Sequence, residues 1–446
     1  MFSRNIIQYF VQWKDRCDRK PLVVRGARQV GKTAAVEIFA KKYYEEFISL
    51  NLDKEEHISL FQHILPISEL IQLIQLKTGK KIIPGKTLLF IDEIQNSSVA
   101  MMQLRYLYEE MPQLPVIVAG SLLEVKIQKE GFSFPVGRVE YCYMHPVTFD
   151  EFLMANDDAQ TVQYLESFSV EKNISDEMHE VLLKKYFEYV LIGGMPEVVA
   201  KYVHTKNIMD LDVIYESILR GFQEDVYKYA TRIKAGYLQH IIEHSPRYVG
   251  QIIKYEKFGE SGFRSREMRE AFDILEKAMI VRRVYASSSK TIPIIQNLRK
   301  SPKLLFLDSG LVNYYQGLRV NILEREDLNN IIKGQFAEQL VGQALYALNV
   351  TQNSKISYWY REKSGATAEV DYLIFFNNKV IPLEVKAGKV GRLKSLHKFM
   401  EESQGDLAIR ICSNKFIKES MEVDGNRYIL LSIPFYLLHR VYELLP

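Results

Sequence analysis

Short apolar runs alternate with segments of helical spacing over the first third of the chain. The runs at 22–24, 47–52, 88–91 and 116–119 have the length of buried strands, and amphipathic segments separate them. Strands that alternate with helices are typical of a parallel sheet covered by helices on both faces. We therefore predict an α/β domain over residues 1–155.

The hydrophobic pattern changes after this domain. Residues 156–230 have mainly helical spacing, which the turn-forming segment Gly193–Pro196 interrupts. Residues 231–290 give a helix, a turn, a helix and then a hairpin, which is the layout of a winged helix. Residues 291–446 mix strands and helices again. The pattern thus predicts three further units after the first.

A glycine-rich motif follows the first apolar run. Residues 26–33 have the spacing G-x-x-x-x-G-K-T and lie between a predicted strand and a predicted helix. In this setting backbone N–H groups surround phosphates, and the helix dipole adds to the attraction. Lys32 is expected to reach the β- and γ-phosphates of ATP, and Thr33 to bind Mg²⁺. The residues predicted to contact the nucleotide are Gly26, Ala27, Arg28, Gln29, Val30, Gly31, Lys32 and Thr33.

Four more residues are candidates for the same chemistry. Asp92 ends an apolar strand, where it can hold Mg²⁺, and Glu93 can polarise the attacking water. Ser121 follows another strand, so it either caps the next helix or contacts the γ-phosphate. Arg138 either stabilises charge on a nucleotide, in its own subunit or a neighbour's, or forms a surface salt bridge. Lys32, Glu93 and Arg138 are the predicted catalytic residues.

A second set of charged residues lies in the last unit. Period-two alternation puts Glu384 and Lys386 on one face of a strand, and a turn would bring the strand of Asp371 alongside. Asp371 and Glu384 could then share a second divalent metal, with Lys386 beside its bound water and Glu338 completing the site. The alternative is a solvent-facing sheet whose charged residues form salt bridges.

Composition limits the choice of partner and compartment. The net charge of +3 over 446 residues permits a nucleic-acid partner without arguing for one. Three separate cysteines favour a reducing, cytoplasmic compartment over a disulfide framework. The apolar runs are too short for a membrane span. Arginines in the winged-helix-like unit form either a DNA surface or a solvated face: Arg264, Arg266, Arg269, Arg282 and Arg283.

In combination, these motifs resemble the prokaryotic AAA-type P-loop ATPases that carry a C-terminal DUF4143 domain. The matching segments are 26–33, 89–95, 119–121, 137–138, 145–152, 193–197, 333–338, 358–361, 369–371 and 383–386. The resemblance implies a P-loop NTPase core, a helical lid over 156–230 and a winged helix, as in ATPases that act as nucleotide-controlled switches. The C-terminal pattern resembles the PD-(D/E)xK nuclease fold, with Asp371, Glu384 and Lys386 at the motif positions. Glu338 matches the helical acid of that fold, and this implies a restriction-endonuclease-like architecture.

Two functional hypotheses follow. The first is Mg²⁺-dependent ATP binding and hydrolysis coupled to a nuclease-like domain that acts on DNA, through the winged-helix-like and C-terminal units. The second is a slow nucleotide-controlled switch whose nuclease-fold domain is catalytically inactive and binds a partner. A protein partner or a homo-oligomer is compatible with both hypotheses.

Overall fold

The computed structural model describes residues 2–120, 137–230, 232–317, 334–351, 355–362, 368–387 and 393–446. In the amino-terminal part the helices are α1 (Ile6–Asp15), α2 (Lys32–Tyr43), α3 (Glu55–Ile58), α4 (Ile67–Thr78) and α5 (Ser98–Glu110). The strands of this part are β1 (Leu22–Arg25), β2 (Glu46–Asn51), β3 (Thr87–Asp92), β4 (Val116–Gly120) and β5 (Glu140–Tyr143).

These strands form a parallel sheet in the order β2-β3-β4-β1-β5. Alternate residues of each strand face opposite sides. Val24 and Phe90 belong to a core that includes α2, whereas Val23 and Ile91 belong to a separate core that includes α4 and α5. The predicted α/β fold with helices on both faces is therefore confirmed. The strand β5 was not predicted from the sequence.

A mainly helical region follows, and it extends beyond the predicted helical segment 156–230 at both ends. Its helices are α6 (Phe149–Ala155), α7 (Ala159–Glu166), α8 (Asp176–Ile192), α9 (Pro196–Thr205), α10 (Asp212–Tyr229), α11 (Arg232–His244) and α12 (Ser265–Lys277). The break between α8 and α9 has Gly193 at a φ of 75°, and the N–H of Gly194 donates to the Asp308 carboxylate at 2.6 Å. A residue from the last predicted unit therefore fixes this turn.

After α12, strands β6 (Val281–Ser287) and β7 (Lys303–Phe306) pair antiparallel. The prediction that Arg282 and Arg283 lie on a basic surface is wrong, because their side chains are only 8% and 5% exposed. Arg282 packs over the Tyr346 ring, and Arg283 is held by Glu276. A strand with neighbours on both edges and both faces has little room for solvated side chains. Of the predicted basic residues, those left exposed are Arg264, Arg266 and Arg269.

The carboxyl-terminal part completes a second sheet in the order β12-β13-β11-β10-β9-β8-β6-β7. Its new strands are β8 (Ser357–Tyr360), β9 (Glu369–Phe376), β10 (Lys379–Lys386), β11 (Leu407–Cys412), β12 (Ile417–Val423) and β13 (Asn426–Pro434). Its helices are α13 (Ser309–Gln316), α14 (Gln335–Ala347), α15 (Lys394–Ser403) and a 3₁₀ helix, Phe435–Leu444.

The predicted turn between β9 and β10 is confirmed. Asn377 and Asn378 both have positive φ, as a tight hairpin turn requires. The sheet also crosses the predicted boundary at residue 290, because β6 and β7 lie on either side of it and pair. The four-unit division of the chain stays a prediction. Among the described residues, no helix is long and apolar enough to cross a membrane.

Candidate functional site

The glycine-rich loop joins β1 to α2 at the carboxyl edge of the first sheet. Gln29 has a φ of 65° and Gly31 a φ of 94°, so the loop uses the left-handed region twice. A Cβ on Gly26 would lie 2.5 Å from the Met144 carbonyl oxygen, so this position requires glycine. The loop therefore has the curved backbone that a phosphate cradle needs.

Lys32 is the first residue of α2, and its side chain is buried beneath the loop. Its Nζ donates to the carbonyl oxygens of Gly26 at 3.1 Å and Ala27 at 2.9 Å. Burial lowers the pKa of Lys32, and the nearby charges of Glu93 and Asp92 act in the opposite direction. The ammonium is thus held within the loop by two neutral carbonyl acceptors.

Thr33 and Asp92 meet across the loop and the end of β3. The Thr33 hydroxyl donates to Asp92 Oδ2 at 2.6 Å, and the Glu93 N–H donates to Asp92 Oδ1 at 3.0 Å. A hydroxyl and a carboxylate are hard oxygen donors of the kind that Mg²⁺ accepts. The donor set therefore fits the magnesium ion that P-loop ATPases use.

Glu93 follows Asp92 with a φ of 52°, in the left-handed region, and the strand ends at Asp92. Burial raises the pKa of Glu93, while a hydrogen bond from Gln95 Nε2 lowers it. Gln95 lies against the end of β4, where a Cβ on Gly120 would be 2.2 Å from Gln95 Oε1. Glycine at 120 thus makes room for the side chain that orients Glu93. The motif analysis did not single out Gln95.

Arg4 is a second residue that the sequence analysis missed. It is buried beside the loop, where it donates to the Val30 carbonyl at 3.0 Å and to the His145 carbonyl at 2.8 Å. Its Nε pairs with the Glu151 carboxylate at 2.9 Å. Arg4 therefore ties the loop to the start of the helical region. An arginine near the chain start has no local pattern that would identify this role.

An open cavity of about 620 Å³ is lined by residues of both the loop and α10. This size is within the range of small-molecule sites, about 300–1,000 Å³. Arg28 and Gln29 line one wall, and Arg28 forms an ion pair with the buried Asp225 of α10. Lys228 contacts the same carboxylate at 3.1 Å. The helical region therefore touches the predicted nucleotide site directly.

The two remaining candidates of this site lie apart from the loop. Ser121 falls outside the described residues. Arg138 precedes β5, whose first residue pairs with Leu22 at the start of β1, so it lies at the opposite edge of the sheet from the loop. Its Nε pairs with the Glu109 carboxylate at 2.7 Å, as the salt-bridge alternative expects. This position does not fit a role toward the nucleotide of the same subunit.

The second set of predicted residues also comes together, around a lysine that the sequence analysis did not include. Lys303 Nζ lies 2.8 Å from Glu338 Oε2, 2.6 Å from Glu369 Oε1 and 3.3 Å from Asp371 Oδ1. Lys386 pairs with Glu384 at 2.7 Å. Within the described ranges, no group of three or more His, Cys, Asp or Glu side chains is arranged to hold a metal.

The protonation of these groups responds to their burial. Burial raises the pKa of Glu338 and of Glu384 to about 7 each, and the Asp371 charge acts in the same direction. Burial opposes the charged form of Lys303, but the charges of Asp371, Glu338 and Glu369 outweigh it and raise its pKa. Burial and the neighbouring charges thus raise the pKa values of Glu338, Glu384 and Lys303 together.

Family models match three parts of the chain. An AAA domain matches residues 18–153, a domain of unknown function (DUF8612) matches 183–321, and another (DUF4143) matches 333–435. The chain therefore carries a P-loop domain of the AAA type and a DUF4143 domain, as the resemblance implied. The nuclease-like character of the second domain stays a prediction.

Whole-chain similarities are weaker. An uncharacterized protein of Methanocaldococcus jannaschii, MJ1544, is 23% identical over 444 residues, covering 93% of this chain and 87% of that protein. The RuvB Holliday junction branch migration motor of Thermotoga maritima is 16% identical, with a TM-score of 0.29, over 63% of this chain and 89% of that one. C. elegans PCH-2 is 8% identical, with a TM-score of 0.27, over 45% and 62% of the two chains.

Proposed function

We propose that this chain, which carries an AAA domain and a DUF4143 domain, is a Mg²⁺-dependent ATPase whose nucleotide binds at residues 26–33. The observation that carries the proposal is the contact between Thr33 and Asp92 beside the buried Lys32. Phosphate cradle, metal donors and a candidate base, Glu93, thus converge at one edge of one sheet.

Each side chain has a chemical role in this proposal. Lys32 exchanges its two carbonyl acceptors for phosphate oxygens, which are charged and bind an ammonium more strongly. Thr33 and Asp92 hold Mg²⁺, which neutralises charge on the phosphates when bound. Glu93 accepts a proton from the attacking water, and its raised pKa suits a general base.

The proposed test is phosphate release from ATP by the wild type, by Lys32→Ala and by Lys41→Ala. Lys41 is exposed near the other end of the same helix, so it controls for loss of a lysine from α2. We expect Lys32→Ala to lose turnover and Lys41→Ala to keep it. Equal rates in all three proteins would refute the assignment of this loop as the ATP site.

A second role for the same site is that of a slow switch, in which nucleotide controls how the domains pack. The ion pair between Arg28 of the loop and Asp225 of α10 supports it, since ATP entering the cavity would compete for Arg28. This candidate predicts that ATP changes the limited-proteolysis pattern around α10 and that ATP turnover is slow. Unchanged cleavage with and without ATP would argue against it.

Arg138 has a separate proposed role, in a homo-oligomer. Its place at the far edge of the sheet, exposed beside Glu109, suits contact with the nucleotide of a neighbouring subunit.

DNA contact through the winged-helix-like unit rests on the exposed residues Arg264, Arg266 and Arg269. A cytoplasmic location rests on composition alone.

A further inference from the structure

The carboxylate cluster of the second sheet contains a cation that belongs to the chain itself. Lys303 is 2% exposed, and its three ammonium protons face three carboxylates: Glu338, Glu369 and Asp371. Three acceptors use the full donor capacity of one ammonium. Lys303 thus donates hydrogen bonds to Glu338 and Asp371 and forms an ion pair with Glu369, so that its ammonium lies between these three carboxylates.

The nuclease-like pattern instead implies a divalent metal at Asp371 and Glu384, and the contacts of Asp371 do not fit that ion. One oxygen of Asp371 contacts Lys303 at 3.3 Å, and the other accepts from the Val385 N–H at 2.8 Å. A Mg²⁺ ion needs oxygen ligands at about 2.0–2.1 Å in octahedral geometry. An ion bound to Asp371 Oδ1 would therefore lie within about 5 Å of the Lys303 ammonium and be repelled by it.

Lys303 has little freedom to move aside. Its strand, β7, pairs with β6 on one edge and forms a bridge to Ile252 on the other, and the N–H of Leu304 donates to the Gln251 carbonyl at 2.9 Å. The side chain also packs over the Tyr358 ring, with Nζ 5.2 Å from the ring centroid. Removing it from the cluster would leave a buried charge without partners, which is strongly unfavourable.

We propose that Lys303 is the permanent counter-ion of this cluster and takes the place of the divalent metal that the nuclease-like pattern implies. The C-terminal domain then needs no divalent metal at this cluster. The cluster holds β7, β9 and α14 together by charge. This inference concerns a different domain from the proposed ATP site and does not depend on it.

Mn²⁺ binding in the absence of nucleotide tests the inference, with free Mn²⁺ measured by electron paramagnetic resonance. We expect the full-length wild type to have no Mn²⁺ site that depends on Asp371, so that Asp371→Asn leaves its titration unchanged. A wild-type site that disappears in Asp371→Asn would overturn the proposal. This comparison requires no change at Lys303.

Lys303→Met should create the missing site. The variant is expected to bind Mn²⁺ at least about tenfold more tightly than the wild type binds it without nucleotide, because a repelling charge is removed from among the oxygens. The gain should be lost again in Lys303→Met/Asp371→Asn. Lys386→Met is the matched control, since it makes the same change in net charge but leaves Lys303 in place, and it should gain no such site. Equal gains in the two lysine variants would overturn the proposal, and circular dichroism establishes that each is folded.

Discussion

Glu93→Gln is expected to bind ATP about as tightly as the wild type and to hydrolyse it roughly 10²–10⁴-fold more slowly, as for other general bases. The amide cannot accept the proton of the attacking water. The phosphate cradle and the contact between Thr33 and Asp92 do not involve this carboxylate and should be kept. Fluorescent-nucleotide binding and phosphate release, measured on the same preparation, separate the two effects.

Glu110→Gln is the control for this variant. Glu110 is an exposed carboxylate at the end of α5, so the substitution changes net charge equally without touching the loop. It should keep both binding and turnover. If Glu93→Gln hydrolysed ATP at the wild-type rate, Glu93 would not be the base, and a different residue would have to orient the water.

Arg138→Ala is expected to reduce turnover by about 10³-fold or more, the range seen for arginines that stabilise charge during phosphoryl transfer. The loss should appear only under conditions in which the chain is assembled, because Arg138 lies at the sheet edge opposite its own phosphate loop. Arg105→Ala is the matched control, since Arg105 pairs with the same Glu109 carboxylate at 3.1 Å. Arg105→Ala should change ATP turnover only slightly.

Mixing two inactive variants gives a sharper version of this experiment. A Glu93→Gln subunit still offers Arg138, and an Arg138→Ala subunit still has Glu93, so a mixed assembly should recover part of the activity. Sedimentation should report an oligomer at the same concentration. Wild-type turnover by Arg138→Ala in that oligomer would remove Arg138 from the mechanism and leave its salt bridge with Glu109 as its role.

The phosphate loop was predictable because its chemistry is local in sequence. Residues 26–33 carry their own backbone constraints, and Asp92 ends a continuous apolar run that identifies a buried strand. The parallel sheet followed from the same alternation of runs. In contrast, β5 has the sequence Glu-Tyr-Cys-Tyr, which gives no apolar run, and it forms because it pairs with β1.

The misplaced and missed residues depend on distant partners. Arg282 is accommodated by the Tyr346 ring, and Lys303 by Glu338 and Asp371, which are 35 and 68 positions away in the chain. A charged residue in a strand is predicted to be exposed to solvent when its partners are unknown. Arg282 and Lys303 are buried because of how β6 and β7 pair with the rest of the second sheet. The hydrophobic pattern alone does not give that pairing.

The most direct test of the central claim is a calorimetric titration of ATP into the folded, full-length chain in the presence of Mg²⁺. The account predicts saturable heat for a single nucleotide site per chain, lost in Lys32→Ala and weakened when Mg²⁺ is withheld. Absence of heat from the wild type, or an identical titration with Lys32→Ala, would contradict the assignment of residues 26–33 as the nucleotide site.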